Sequence, residues 1–424
     1  MARGDHRFVP VLIEALRASQ LRVLPERHHN AKVVALERLA GQSLGADWFA
    51  WMRWYESTPL HPPGGYHAFK ARLLARIDPA LGRSFAAPSA QGLRIEEIVV
   101  SGTPPPADAL GAPPVVVAAR DARLDGGEPV VGVALGGEAR AYPLRWLDWL
   151  EVANDRLGGR DIAVAWCAFA ASAMAFERDG RGGVHGDGDA ATLAASGLVQ
   201  RGVRLMVERE SATLWNELTG RPASGANAAA RLEPLPAVLT TWSAWSARNP
   251  ETTALVAPRA GDGPPITPYG RYHNTAEAVF PVALGREDLP PKAQVYGVER
   301  GLRARAWALE RLLEAGVVND DVGGHGVALV ATRGRLELEG EHPQLGRIRF
   351  SPGAEVRAYA RDRALELAPG SAPDQLVDAE GRPWRATDEA LLGPEGQRLA
   401  RLPGTVVYWF AWQAFHPETE LGAL

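Results

Sequence analysis

The chain has 424 residues, of which 46% are hydrophobic and 23% charged, and its formal net charge is −4. This composition is typical of a soluble globular protein of two or three domains, and the charge argues against binding to nucleic acid or an anionic membrane. No apolar run is long enough to cross a bilayer, and Glu14 and Arg17 interrupt the N-terminal apolar segment, unlike in a signal peptide, so we expect a cytoplasmic protein. The single cysteine, Cys167, excludes an internal disulfide and an all-cysteine zinc site.

Residues 1–85 are predicted to form a helical N-terminal domain. Apolar residues recur there at helical spacing, and Trp48, Trp51 and Trp54 follow one another at intervals of three. This spacing places the rings on one face of a helix, which is typical of a packed aromatic seam. Proline, alanine and glycine then dominate residues 86–115, which we predict to be a linker with a short strand near residues 95–100.

The rest of the chain contains an internal repeat. Residues 132–159 align without a gap with residues 297–324, and 13 of the 28 aligned positions are identical. Two copies of one unit indicate a tandem duplication rather than a solenoid, which needs three or more repeats. We therefore predict a first repeat at residues 116–275 and a second at residues 276–424.

Shorter blocks recur in the same order. A W-x-x-W segment occurs in each half, and a G-R-P segment occurs at residues 220–222 and again at 381–383. Because the tryptophan spacing returns where no shared ligand is expected, we predict that all four rings are buried. These tryptophans are Trp242, Trp245, Trp409 and Trp412.

Each copy of the repeat is predicted to contain a β-hairpin, a helix and a further strand. In the first copy, the pair Gly136 and Gly137 suits a hairpin turn because glycine tolerates positive φ angles. Pro143 is expected in the first turn of the helix, and Asn154 and Asp155 at its end, in turn or capping positions. The predicted fold class is therefore α+β, a strand-rich tandem duplication of this unit behind the helical N-terminal domain.

Several segments together resemble one family of bacterial and archaeal proteins. They are GEARAYPL at residues 137–144, ERESATLW at 208–215, PYGRY at 268–272, FPV at 280–282, and FAW followed by PETE near the C-terminus. With these segments the chain resembles the family designated domain of unknown function 3179, over most of its length. The resemblance implies no activity, substrate or cofactor.

The resemblance also implies a site that this chain has only in part. Relatives typically have Trp-His-Glu at residues 149–151, where this chain has leucine, Leu150, in place of the histidine and keeps the glutamate, Glu151. They typically have Cys-x-x-Cys-Gly at residues 167–171, where this chain keeps Cys167 but has Ala170 and Ala171 at the last two positions. A histidine and two thiolates would suit a soft metal or a redox reaction. Because this chain lacks the histidine and the second cysteine, we expect it to hold no metal and no other cofactor.

Two residues are candidates for catalysis. Cys167 follows a predicted strand, and it is either a small buried hydrophobe or a reactive thiol. Glu151 has Gly316 as its counterpart in the second repeat, so its carboxylate is not a shared feature of the repeated unit. Glu151 is therefore a candidate acid or base beside Cys167.

Seven further residues are candidates for ligand binding. Arg140 would lower the pKa of a nearby thiol, but its counterpart Arg305 lies in a half without a cysteine, which favours a structural ion pair with Asp155. Trp215 is predicted to open a helical turn. The rings of Trp215, Tyr269 and Tyr272 are expected either to line a cleft between the repeats or to form their interface. The seven residues are Arg140, Tyr142, Asn154, Asp155, Trp215, Tyr269 and Tyr272.

Three functions agree with these residues. The first is a degenerate family member that binds a small molecule or a protein partner, and neither nucleic acid nor membrane. The second is a thiol-dependent enzyme in which Cys167 acts with Glu151. The third is a structural or interaction module, which would have no polar pocket between the repeats. An accessible and acidic Cys167 would favour the second function over the first.

Overall fold

The structure is a computed structural model with a mixed α+β fold that is rich in strands and begins with a helical region, as the sequence predicts. No helix in the described part of the chain is long and apolar enough to span a membrane. The structure describes residues 4–26, 28–90, 92–101, 115–178, 190–225, 228–256, 267–342 and 344–422.

The N-terminal helices pack around the predicted tryptophan seam. Trp48 and Trp51 are buried among apolar residues of the first helix, and Trp51 donates from Nε1 to the carbonyl oxygen of Gly45 at 2.8 Å. Trp54 is half-buried and meets Trp51 edge-on, with ring centroids 5.8 Å apart. The helices are α1 (Val9–Gln20), α2 (His29–Ala40), α3 (Trp48–Glu56), α4 (Tyr66–Leu74) and α5 (Pro79–Arg83).

The following part of the chain is mainly antiparallel sheet with three short helices. The strands are β1 (Ile98–Val100), β2 (Val115–Ala118), β3 (Pro129–Leu135), β4 (Glu138–Pro143), β5 (Val152–Leu157), β6 (Arg160–Cys167), β7 (Ser172–Glu177), β8 (Leu193–Gln200), β9 (Val203–Glu208), β10 (Leu214–Asn216), β11 (Pro234–Leu235), β12 (Val238–Thr241) and β13 (Thr253–Val256). The helices are α6 (Leu144–Leu150), α7 (Trp242–Arg248) and α8 (Gly270–His273). The strands form three sheets, in the orders β12-β3-β4-β13-β2, β11-β7-β6-β5 and β1-β8-β9-β10.

The C-terminal part is also rich in strands, and one of its sheets has eight strands. The strands are β14 (Gln294–Arg300), β15 (Arg303–Ala308), β16 (Val317–Val322), β17 (His325–Arg335), β18 (Leu338–His342), β19 (Gly346–Phe350), β20 (Ala354–Ala360), β21 (Leu367–Pro369), β22 (Gln375–Asp378), β23 (Pro383–Ala386), β24 (Ala390–Leu392), β25 (Arg398–Leu402), β26 (Thr405–Tyr408) and β27 (Glu420–Leu421). The helices are α9 (Leu309–Ala315) and α10 (Trp409–Phe415). The sheet orders are β26-β14-β15-β27, β16-β17-β20-β25-β24-β23-β22-β21 and β18-β19.

One packing motif occurs in both parts and explains the repeated tryptophans. The ring of Trp245 lies on Gly132 of β3, and the ring of Trp412 lies on Gly297 of β14, so close that a Cβ at either glycine would come within 2.3 Å of the ring. Each indole also donates to a threonine hydroxyl seven residues later, at 2.8 and 2.9 Å. The predicted burial of all four repeated tryptophans is confirmed, because none is more than 8% exposed.

The predicted turn at Asn154 and Asp155 is wrong, because both residues lie inside β5, which pairs with β6. The side-chain amide of Asn154 bonds to the backbone of Leu193. Its Nδ2 donates to the carbonyl oxygen of Leu193 at 2.6 Å, and its Oδ1 accepts from the N–H of Leu193 at 3.0 Å. Asparagine is common in turns because it bonds to backbone groups, and in this fold the same ability joins β5 to β8. Pro143, predicted inside the helix, is instead the last residue of β4.

Two further predictions do not match the structure. Trp215 does not open a helical turn but lies in β10, opposite Met206 of β9. The two G-R-P segments lie at different places in the fold: residues 220–222 follow β10, whereas residues 381–383 connect β22 to β23. The two segments are therefore not structurally equivalent, although their sequences are identical.

The two parts of the chain share one large core. Trp166, Phe169, Trp409 and Phe410 belong to the same buried cluster, and the N–H of Tyr408 donates to the carbonyl oxygen of Ala170 at 2.8 Å. Within the predicted linker, β1 pairs with β8, and residues 102–114 lie outside the described part of the chain. The short strand expected near residues 95–100 is thus present as β1, after a turn of 3-10 helix.

Candidate functional site

Glu151 directly follows α6 and has an unusual backbone conformation, with φ 61° and ψ −44°. Residues other than glycine rarely adopt a positive φ, and such strained conformations cost roughly 1–3 kcal/mol. At the aligned position 316, Gly316 follows α9 with φ 75° and ψ −48°. The backbone at this position thus suits glycine, and the carboxylate of Glu151 is present despite the conformation that it must adopt.

Arg204 of β9 is the partner of Glu151. Its side chain is buried, its Nη2 lies 3.3 Å from Oε1 of Glu151, and it also donates to the hydroxyl of Tyr269. The guanidinium carbon lies 4.4 Å from the ring centroid of Phe169 and 5.0 Å from that of Tyr269. Burial opposes the charge of Arg204, but the Glu151 carboxylate and Tyr269 outweigh it and raise its pKa, so the guanidinium stays charged.

Glu217, just after β10, completes this group. It is 1% exposed, and its N–H donates to the carbonyl oxygen of Arg204 at 3.2 Å. Neither oxygen of its carboxyl group has a hydrogen-bond partner among the described residues, and neither does Nη1 of Arg204. Burial and the neighbouring Glu151 charge raise the pKa of Glu217 well above its usual value, against the opposing effect of Arg204, and so favour the uncharged form of this carboxyl.

Cys167 lies at the end of β6, beside the same arginine. Its Sγ is fully buried and accepts a hydrogen bond from the backbone N–H of Arg204, with 3.4 Å between the two atoms. Burial and the Glu217 carboxyl raise the pKa of the thiol to about 12, although Arg204 acts in the opposite direction. Since the thiolate is the nucleophilic form of cysteine, a neutral buried thiol is a poor nucleophile.

Asp148 of α6 is a further buried carboxyl near these residues. Its Oδ1 accepts a hydrogen bond from Nε1 of Trp166 at 2.7 Å. Burial raises its pKa to about 6, although the bond from Trp166 and the charge of Arg204 favour ionisation. We use the name Arg204 cluster for Glu151, Cys167, Arg204, Glu217 and Tyr269, and Asp148 lies outside this set.

Four of the candidate residues lie elsewhere and serve the fold. Arg140 forms the expected ion pair with Asp155, with Nη1 2.6 Å from the carboxylate, and the hydroxyl of Tyr142 donates to the same carboxylate at 2.7 Å. At the aligned positions of the C-terminal part, Arg305 and Trp307 donate to Asp320 in the same way. The fourth residue, Asn154, joins two strands through its amide.

Trp215 also contributes to packing. It is buried in a core between the sheets, and its Nε1 donates to Oε2 of Glu208 at 3.1 Å. Trp384 makes the same bond to Asp378 at 3.1 Å in the C-terminal part. The recurrence of an indole bonded to the carboxylate of the preceding strand favours a structural role for Trp215.

Tyr272 lies next to the Arg204 cluster, on the short helix α8. Its hydroxyl donates to the carbonyl oxygen of Phe169 at 2.6 Å, and the two rings meet edge-on. The neighbouring His273 has its Nδ1 2.9 Å from the hydroxyl of Tyr408 and stacks on Phe350. Because Tyr269 immediately precedes α8, these contacts hold the PYGRY segment against Arg204 and Phe169.

The positions expected for a histidine and a second cysteine are apolar here. Leu150 packs against the large core, and Ala170 is fully buried within it. Ala171 has a φ of 51°, in the left-handed region that favours glycine, which agrees with the glycine that the resemblance places there. No group of three or more His, Cys, Asp or Glu side chains suited to a metal ion occurs within the described ranges.

Two residues of the Arg204 cluster, Arg204 itself and Glu217, were not predicted from the sequence. One signal was available, because Arg204 is a charged residue inside the otherwise apolar segment VRLMV. Charged residues are almost never fully buried unless they are paired. Glu217 gave no such signal, since its burial depends on the pairing of β10 with β9.

The comparisons with known proteins identify a family and no characterised relative. The sequence model of one family, described as protein of unknown function (DUF3179), matches residues 109–419. No curated protein and no solved structure matches the chain. The match covers the strands from β2 to β26, including every residue of the Arg204 cluster, and the chain therefore belongs to the family of proteins of unknown function DUF3179.

Proposed function

We propose that this protein binds a small polar molecule at the Arg204 cluster. One observation carries the proposal: Nη1 of Arg204 and both carboxyl oxygens of Glu217 are buried and have no partner in the described part of the chain. Buried polar groups nearly always have hydrogen-bond partners, because an unsatisfied one costs roughly 1–3 kcal/mol. A bound ligand would supply the missing partners at all three atoms.

The charges of the cluster restrict the chemistry of this ligand. Glu151 is the ion-pair partner of Arg204, and burial favours the uncharged form of Glu217, so the site carries no large net charge. Nη1 of Arg204 needs an acceptor, whereas a neutral carboxyl both donates and accepts one hydrogen bond. A compact molecule with a carbonyl or carboxyl group meets both demands.

The geometry supports the thiol-dependent alternative less well. A nucleophilic cysteine needs a lowered pKa and access to its substrate, but Cys167 is fully buried and the pKa of its thiol is raised to about 12. The purely structural alternative leaves the strain at Glu151 and the unpaired atoms of Arg204 and Glu217 without a reason. We therefore prefer ligand binding to either alternative.

A titration of two simple probes tests the proposal. Acetate and acetamide each present a carbonyl oxygen to Arg204, and their binding to the wild-type protein is measured by calorimetry. Arg204→Lys keeps the charge but loses the planar pair of donors, so we expect it to weaken binding by about tenfold or more. Glu217→Gln, a neutral side chain of nearly the same shape, should retain binding, because burial favours the uncharged form of the native carboxyl.

The matched control is Arg311→Lys. Arg311 is an exposed arginine of α9 whose ion-pair partner is Glu314, so this variant makes the same chemical change away from the cluster. If neither probe binds, or if Arg204→Lys and Arg311→Lys leave binding equally unchanged, the proposal is wrong. Thermal unfolding of each variant shows that a loss of binding is not a loss of the fold.

We also propose that the chain arose by tandem duplication and is a degenerate member of its family. The shared bonds of Arg140 and Arg305 to their aspartates, and the equal packing of Trp245 and Trp412 on glycine, support the duplication. The apolar surroundings of Leu150 support the loss of a metal or redox site. We propose likewise that the protein holds no metal or other cofactor and binds neither nucleic acid nor membrane. We also propose that it is cytoplasmic and of bacterial source.

A further inference from the structure

A cavity that is separate from the Arg204 cluster lies where three parts of the chain meet. It has a volume of about 450 Å³ and is lined by residues before β1, by the segment around β10, and by the β14–β15 turn with the end of α10. This volume lies within the usual range for sites that bind small molecules. We call it the junction cleft.

The junction cleft has an excess of positive charge. Four arginines and three glutamates line it, and the lining histidine, His416, is neutral because burial lowers its pKa to about 4. Glu299 on the wall is shared by Arg221 and Arg231, with Nη2 and Nη1 at 2.7 and 3.0 Å from Oε1. Because one carboxylate balances two guanidinium groups, a positive charge is left beside the cleft.

The lining arginines are not equally available to a ligand. Arg94 and Arg201 both bond to Glu97, and Arg201 also donates to the carbonyl oxygen of Ala414 at 2.8 Å, so their donors hold the three parts of the chain together. Arg221 and Arg303 are the more exposed pair. Arg221 and Arg303 therefore have N–H donors that are available to an anion in the cleft.

The rest of the wall is partly apolar and contains one unsatisfied donor. Leu302 is 96% exposed at the cleft, and Leu93 and Phe415 are half-buried. Asn216 accepts two backbone hydrogen bonds at Oδ1, but its Nδ2 has no acceptor among the described residues. An apolar surface beside cations suits a ligand with a charged head and an apolar body.

We propose that the junction cleft binds an organic anion whose carboxylate or phosphate head is held by Arg221 and Arg303 and whose apolar body lies against Leu93, Leu302 and Phe415. This binding is independent of the Arg204 cluster, because no residue of that cluster lines the cleft. Charge-assisted hydrogen bonds from arginine to such a head are among the stronger polar contacts in proteins.

Benzoate is a suitable probe, with two comparison compounds. Benzamide has the same shape without the charge, and acetate has the head without the apolar body. We expect the full-length protein to bind benzoate more tightly than either. Arg303→Gln, at an exposed position, and Arg221→Gln should each weaken benzoate binding by about tenfold, as expected for the loss of a charge-assisted hydrogen bond.

One control separates this site from general charge effects. Arg311→Gln removes one positive charge from the surface of α9 and should leave benzoate binding unchanged. Equal binding of benzoate and benzamide would overturn the proposal. An effect of Arg311→Gln as large as that of Arg303→Gln would do so as well, whatever the outcome at the Arg204 cluster.

Discussion

Glu151 and Gly316, which are aligned in the sequence, have nearly the same backbone conformation, although only one of them has a side chain. Each follows a seven-residue helix, α6 or α9, and each carbonyl oxygen accepts a hydrogen bond from the equivalent strand residue, Trp166 at 2.9 Å or Ala331 at 2.7 Å. Strained residues often lie at functional sites, where the surrounding structure holds them in place. The strain at Glu151 thus indicates a functional role for its carboxylate, which contacts Arg204.

This relationship predicts an unusual order of stability at position 151. Glu151→Gly and Glu151→Ala both remove the partner of Arg204, so they differ mainly in backbone strain. We expect the glycine variant to be more stable than the alanine variant by about 1 kcal/mol or more, measured by urea unfolding, because alanine must keep the positive φ.

The same pair of substitutions at Glu314 is the control. Glu314 lies inside α9 and is exposed, and in a helix alanine is more stable than glycine by about 1 kcal/mol. The order should therefore reverse between the two positions. Alanine more stable than glycine at both positions would contradict a strained Glu151.

Trp409 is expected to be a major contributor to stability. It is fully buried in the core shared by the two parts of the chain, so Trp409→Ala should cost about 3–5 kcal/mol in the free energy of unfolding. Trp149→Ala is the comparison, since Trp149 is 42% exposed and surface substitutions usually change stability by about 0.5 kcal/mol or less. A loss well under 1 kcal/mol for Trp409→Ala would be incompatible with its packing.

His273 should make the protein less stable in acid. Burial, together with the nearby Lys292 charge, lowers its pKa from 6.5 to about 3, so the folded protein keeps this ring neutral where the unfolded chain takes up a proton. The stability that depends on His273 is present above pH 6.5 and is lost as the pH falls from there towards 3, by at most about 1.4 kcal/mol per pH unit.

Unfolding of His273→Gln as a function of pH checks this expectation. The variant should lose part of the acid dependence of the wild type, whereas His61→Gln, at an exposed position, should retain all of it. An unchanged pH profile in His273→Gln would show that the pKa of this ring is the same in the folded and unfolded protein, contrary to this account.

Cys167 should be chemically silent in the native protein. Because its thiol is buried and its pKa is raised to about 12, a thiol reagent at neutral pH should modify it only after the protein is unfolded. Cys167→Ala should also retain the binding of acetate or acetamide. Rapid labelling of the native protein, with loss of an activity in Cys167→Ala, would instead support the thiol-dependent enzyme.

The local features of this fold could be predicted from the sequence, and the features that depend on distant pairing could not. The glycine pairs and the W-x-x-W segments gave the hairpins and the buried rings, because turn geometry and apolar spacing act over a few residues. Asn154 was placed in a turn because its partner, Leu193 of β8, lies 39 residues away. Arg204 and Glu217 were missed for the same reason, since strand pairing brings them beside Glu151.

The most direct test of the account is a high-resolution crystal structure of the protein with acetate or acetamide. We predict density larger than a water molecule within hydrogen-bond distance of Nη1 of Arg204 and of the Glu217 carboxyl, the groups that have no partner among the described residues. That density should be absent in Arg204→Lys. If wild-type crystals show only water there, or if Nη1 of Arg204 bonds to a protein oxygen, the Arg204 cluster is a structural feature and not a binding site.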